Sequence, residues 1–213
     1  MELTIPVGQD TVWTEHLAGD GVPIVLLHPG IGDSRSWDLV MPGLSGYRVV
    51  RYDVRGYGRS PQPTGEFSLL SDLEAVLDQL NLERALLVGC SMGGGTALTF
   101  TLTHPDRVHG LVLLCPSVSG FPLPEEPEDD QDEYLKPDAP VYDRLYEIQV
   151  PSVVMVGDKD RAVLAAAAGG TAARIPGCEV VWLTGDSPSL REPQLVTDTI
   201  LRFAGASPAS PAV

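Results

Sequence analysis

The sequence predicts a doubly wound, mostly parallel α/β sheet. Two observations carry that expectation. Short apolar runs recur along the 213 residues, and most are apolar continuously rather than alternately, as strands buried on both faces require. Helix-like segments separate the runs, which is the rhythm of βαβ units. In chain order the expected strands are Ile24–Leu27, Val49–Tyr52, Ala85–Val88, Leu111–Leu114, Val153–Val156 and Val180–Leu183. Ser71-Asp72-Leu73-Glu74 has the Ser-x-x-Glu form of a capping box and would open a helix with Leu73, Val76, Leu77 and Leu80 on one face. A second helix is expected after Ser91, ending near His104-Pro105, and Tyr142, Leu145, Tyr146 and Ile148 suggest a third, short one.

Length and a 43% hydrophobic content suit a single domain over residues 1–205, with residues 206–213 a frayed tail. Lys and Arg number 14 against 29 Asp and Glu, a formal charge of -15. Such a surface repels phosphate backbones and anionic lipid, so neither a nucleic-acid nor a membrane partner is expected. No apolar run approaches the roughly 18 residues of a bilayer span, and the start lacks a secretion signal. The three cysteines, Cys90, Cys115 and Cys178, form neither a disulfide framework nor a metal-like spacing. A cytoplasmic protein without metal or cofactor is the expectation. Between Ser117 and Pro140 the chain is proline-rich and carries seven carboxylates from Glu125 to Glu133, close to half the net charge. That composition reads as a solvated, mobile loop.

Chemistry enters at Leu87-Val88-Gly89-Cys90-Ser91-Met92-Gly93-Gly94. A buried strand runs into Gly-x-Ser-x-Gly and a helix follows. The turn is sharp enough that side chains at the flanking glycines would collide with neighbouring backbone. It would expose the Ser91 hydroxyl at the strand's C-terminal edge, beside the first amides of the helix.

With this turn the chain resembles the α/β-hydrolase superfamily, and three further motifs extend the likeness over nearly its whole length. Leu26-Leu27-His28-Pro29-Gly30-Ile31-Gly32 is similar to the family's oxyanion loop, and Asp53-Val54-Arg55-Gly56-Tyr57-Gly58-Arg59-Ser60 to its next turn. Val156-Gly157-Asp158-Lys159-Asp160 is similar to the turn that delivers the triad acid. Small bacterial esterases, lactonases and carbon–carbon-bond hydrolases are the nearest likenesses. The resemblance implies Ser91 as nucleophile, Asp160 as acid (with Asp158 the rival), and the Met92 N–H as one oxyanion donor. The N–H of Gly30 is the implied second donor, with Ile31 the alternative. Fixed donors of this kind contribute about 3–4 kcal/mol each to the transition state. His28 is expected to shape the oxyanion loop rather than to act as base, and Asp53 and Arg55 to form a structural turn.

Two departures from the family pattern are visible. In Gly185-Asp186-Ser187-Pro188-Ser189-Leu190, Asp186 stands where the family's histidine belongs, and all four histidines (His16, His28, His104, His109) precede Asp160. His104, before a proline at a helix end, and His109, at a strand start, read as structural. Imidazole, with a pKa near 6.5, takes the serine proton and returns it to the leaving group; a carboxylate is a weaker base. Losing the histidine of such a unit costs on the order of 10⁶ in kcat, roughly 8 kcal/mol, while about 10³–10⁴ over water survives. Asp186 is therefore either a carboxyl tuned upward by Asp160 into an altered base or the mark of a disabled triad, unless the base comes from an unexpected loop. The second departure is a shortened, acidic lid over residues 117–150, which implies an open pocket. The expectation is thus a hydrolase of small carboxylic esters or lactones with impaired chemistry; the alternative is a ligand- or partner-binding module derived from a hydrolase.

Overall fold

The computed structural model describes residues 1–122, 134–137, 139–185 and 191–205. Eight strands form one sheet: β1 (Glu2–Val7), β2 (Asp10–Leu17), β3 (Asp20–Leu27), β4 (Tyr47–Tyr52), β5 (Ala85–Cys90), β6 (Val108–Leu114), β7 (Ser152–Gly157) and β8 (Glu179–Leu183). Their order is β1-β2-β4-β3-β5-β6-β7-β8, and every neighbour pair from β4 to β8 is parallel. The doubly wound, mostly parallel sheet is as expected, and each of the six expected strands is present. Sequence reading missed β1 and β2, an antiparallel hairpin closed by the two-residue turn Gly8-Gln9 and extending the sheet beside β4. β1 alternates polar with apolar residues and β2 flanks Val12-Trp13 with polar ones, so neither has the continuous apolar run of the central strands. Pro6 is tolerated because β1 is an edge.

Both faces of the sheet are covered. α1 (Leu69–Gln79), α2 (Met92–Thr103) and α3 (Ala162–Arg174) pack on one side against Val25, Leu27, Leu87, Leu113 and Val154. On the other side α4 (Pro193–Phe203) joins Trp37, Val40 and Leu44 over Ile24, Leu26, Val88, Val112 and Met155. Successive residues of one strand serve opposite cores, which explains the unbroken apolar runs. α1 corrects the capping box: its cap is Ser68, whose hydroxyl accepts the Ser71 N–H at 3.5 Å, so Ser71 lies inside the helix. Leu73, Val76 and Leu77 are buried as expected, whereas Leu80 is the C-terminal cap and half-buried. The helix stops where Asn81 turns left-handed at φ +52°. Residues Tyr142–Glu147 form a 3-10 turn that buries Tyr142 and Leu145 and leaves Tyr146 in solvent. The carboxylates from Glu125 to Glu133 and the tail 206–213 lie outside the described residues. Among those described, no helix is long and apolar enough to cross a membrane.

Buried ions fasten the hairpin to the centre. Arg55, 5% exposed, donates to Asp72 of α1 at 2.6 and 2.9 Å, to Asp10 at 2.8 Å and to the Val7 carbonyl at 2.9 Å. Burial holds the Asp72 carboxyl above its ordinary range despite the pull of Arg55. Fully buried Asp53 accepts the Ser34 and Arg59 N–H groups, each at 2.8 Å. Both residues are structural, as the sequence suggests. Replacing Arg55 with Met strands the Asp72 charge in the core. The expected cost is about 3–5 kcal/mol, read as a lower urea midpoint at pH 7; an unchanged midpoint would show that the pair contributes nothing.

Candidate active site

Between β5 and α2 the chain must reverse within one residue, and Ser91 is that residue. Its φ of +48° and ψ of -113° lie outside the regions open to ordinary side chains, at a cost of order 1–3 kcal/mol. The neighbours make the turn possible by having no side chains: a Cβ on Gly89 would strike the Gly93 carbonyl, and one on Gly93 would strike that of Leu27. Backbone bonds then fix Ser91. Its N–H donates to the Leu114 carbonyl at 3.0 Å, and its own carbonyl accepts from Gly95 at 3.0 Å and Ser117 at 2.9 Å.

Gly30 lies against Met92; a Cβ built on it would sit 3.4 Å from the Met92 Sδ. Among the described residues neither the Gly30 nor the Met92 N–H has a protein acceptor. Ile31 projects fully into solvent. A cleft of about 600 Å³ opens beside Ser91, walled by Met92, Thr96, Pro116, Ser117, Val118, Phe121, Leu135, Val163 and Leu164, with Arg161 also at the wall. The described ends of the shortened lid thus supply part of the wall. Val141 and Tyr142 donate to the Ser119 carbonyl at 2.9 and 3.1 Å, while Phe67 pairs with residues 134 and 136.

Asp160 leaves β7 in the turn the motif suggests. Its Oδ2 accepts the Gly157 N–H at 2.6 Å and the Cys115 thiol at 2.8 Å. Burial, reinforced by Asp160, pushes the Cys115 thiol well up and that of Cys90 to about 12. Both are therefore protonated at neutral pH and poor nucleophiles. Asp158 Oδ1 accepts the Gly185 N–H at 2.6 Å, while the Gly185 carbonyl accepts from Lys159 at 3.0 Å. Gly185 is thereby held on the acid turn. Asp186, its covalent neighbour, lies outside the described residues.

None of the four histidines bonds to Ser91. His28 is buried with both ring nitrogens engaged, Nδ1 donating to the Pro29 carbonyl at 2.9 Å and Nε2 accepting the Val54 N–H at 3.0 Å. His104 caps the far end of α2, roughly 18 Å along the helix axis from Ser91. His109 lies near the start of β6, five residues before Leu114, and His16 is on β2, three strand spacings (about 14 Å) from β5. The Ser91 Oγ instead meets the Ser117 Oγ at 3.2 Å. Ser117 and Cys115 are the contacts sequence reading missed. Their position just past the expected strand Leu111–Leu114 was the available signal, because α/β sheets build sites at the C-terminal ends of their strands.

The sequence profile of the α/β-hydrolase fold matches residues 22–147. The chain belongs to the α/β-hydrolase family. Over 118 residues, 52% of the chain, it is 38% identical to a 2-hydroxymuconate semialdehyde hydrolase of Pseudomonas sp. (strain CF600). Over 107 residues, 46% of the chain, it is 40% identical to a 2-hydroxy-6-oxo-2,4-heptadienoate hydrolase of Pseudomonas putida (strain F1). The matched parts are 42% and 39% of those proteins' lengths. Among solved structures, Est816, described as an N-acyl homoserine lactone degrading enzyme, superposes with a TM-score of 0.81 at 25% identity, covering 94% of this chain and 100% of that one.

Burial holds the His28 pKa below its ordinary value near 6.5. Because the folded value is the lower one, the stability contributed by neutral His28 is complete above about pH 6.5 and declines as pH falls below it. Between pH 7 and 5.5 the urea midpoint is expected to drop, and to drop less steeply in His28→Gln. Equal slopes for the two proteins would show that His28 does not titrate in this way.

Proposed function

We propose that the chain is a serine hydrolase of small carboxylic esters or lactones, forming an acyl-enzyme on Ser91, with turnover held back by the lack of a base histidine. The strained Ser91 beside the Gly30 and Met92 amides is the observation that carries this reading. In it, Ser91 Oγ attacks the substrate carbonyl and the two N–H groups receive the developing oxyanion. Such donors act strongly because they are already oriented when the charge forms. Asp160 is the acid of the family pattern, and Asp186 stands at the position of its histidine. The names of relatives support a hydrolase of small substrates: a 2-hydroxymuconate semialdehyde hydrolase, a 2-hydroxy-6-oxo-2,4-heptadienoate hydrolase and an N-acyl homoserine lactone degrading enzyme. A cytoplasmic location and a small-molecule partner belong to the same proposal.

Acylation needs the Ser91 proton removed, and deacylation needs a water activated. Without imidazole both slow, and the second slows the more, since it must also activate a water. An acyl-enzyme that accumulates is the expected signature. A second reading, a pocket that holds ligands without turnover, is favoured by the Ser117 hydroxyl being the side-chain partner of Ser91 among the described residues.

An activated aryl ester is expected to acylate Ser91, detected by intact mass, and Ser91→Ala to remove the adduct. No adduct with either the ester or a serine-reactive fluorophosphonate would leave the ligand-holding pocket as the better reading. Restoring an imidazole with Asp186→His is expected to raise ester hydrolysis at least about 10²-fold, part of what a lost base withholds. A folded variant with unchanged rate would place the missing base elsewhere.

A further inference from the structure

Resting on the acyl-enzyme reading, we propose that Ser117 is the proton partner of Ser91 in acylation. Its hydroxyl lies against that of Ser91 and faces the cleft. The two Oγ atoms lie 3.2 Å apart, a workable O–H···O contact that shortens readily toward the usual 2.7–2.8 Å. Placement of Ser117 is not left to a free rotor on a loose loop. Its N–H donates to the Ser91 carbonyl at 2.9 Å, so the two residues are joined through backbone as well as side chain. Pro116 stiffens the approach, and the glycine tract of α2 makes room for it. A Cβ on Gly94 would meet the Pro116 Cβ at 2.8 Å, and one on Gly95 would meet the Ser117 carbonyl oxygen at 2.6 Å. Ser91 is half-buried whereas Ser117 is exposed and lines the cleft. The Ser117 hydroxyl therefore touches the reacting Ser91 Oγ on one side and the open cleft on the other.

The step balances without a protein base. As the Ser91 Oγ–carbon bond forms, the Ser91 proton passes to the Ser117 Oγ. The proton originally on Ser117 passes to a base from solvent, either hydroxide or the basic form of the buffer. Ser117 ends the step as the hydroxyl it began as, and the carbonyl π electrons move to the oxyanion. A hydroxyl relay of this kind is a poor substitute for a tuned imidazole, since it only hands on a proton that bulk solvent must finally accept.

The test is the rate of Ser91 acylation by p-nitrophenyl acetate, followed as p-nitrophenolate release in mixtures of H2O and D2O and confirmed by intact mass. Wild type is expected to give a bowed proton inventory, because two protons move together, and a rate that rises with imidazole buffer. Ser117→Ala is expected to slow acylation about 10-fold, less than the roughly 10² or more that a tuned general base supplies, and to give a straight inventory. Ser117→Thr, which keeps the hydroxyl, is expected to restore both the bowed inventory and most of the rate. Equal rates and equal inventories in wild type and Ser117→Ala would overturn the relay while leaving the acyl-enzyme intact. No acylation of Ser91 in wild type would instead overturn the acyl-enzyme reading, and the relay with it.

Discussion

Backbone-to-backbone contact around Ser91 is the constraint on which the rest of the site depends. β5, β3 and the start of α2 approach so closely that side chains are excluded at Gly89 and Gly93, and the residue between them is forced to a positive φ. Gly94 and Gly95 extend the same approach to the segment after β6. A single methyl group at any of these positions would push apart elements that are otherwise tightly packed. The strain at Ser91 persists because the Leu114, Gly95 and Ser117 backbone bonds leave the chain no easier path.

The edge of β6 then becomes the link between Ser91 and Asp160. Leu114 and Ser117 hold the Ser91 backbone, Ser117 meets its hydroxyl, and Cys115 between them donates to Asp160. The described site therefore contains a carboxylate, a protonated thiol and two hydroxyls, but no group that is basic near neutral pH and in contact with Ser91. Ser91 and the Gly30 and Met92 amides lie at the edge of the sheet, and a cleft walled largely by apolar side chains opens beside them.

Around this centre the polar groups are structural and mostly satisfied. His28, which a motif search would single out, spends one nitrogen on the oxyanion loop and the other on Val54, and so ties that loop to the turn after β4. Asp53 joins the same turn to the 3-10 segment at Ser34, accepting from the Arg59 and Ser34 N–H groups, and Arg55 reaches from the turn to the hairpin and to α1. A histidine or an arginine next to the site is thus no sign of catalysis until its bonds are counted.

Much of this was legible along the chain. Continuous apolar runs identified six strands because a strand buried on both faces has no polar side to show. Gly-x-Ser-x-Gly identified the elbow because only glycine permits that approach. The hairpin β1–β2 was not legible, since both strands are interspersed with polar residues and show no continuous apolar run. The cap of α1 was misplaced by three residues, because Ser68 and Ser71 are chemically equivalent and only the fold selects the one with an extended backbone. Local order could single out Ser91, Gly30, Met92 and Asp160, because the family motifs that contain them are only a few residues long. That Cys115 bonds Asp160, that Ser117 meets Ser91 and that His28 is fully committed were decided in three dimensions, because each joins residues distant in sequence that only the packed sheet brings within hydrogen-bond reach.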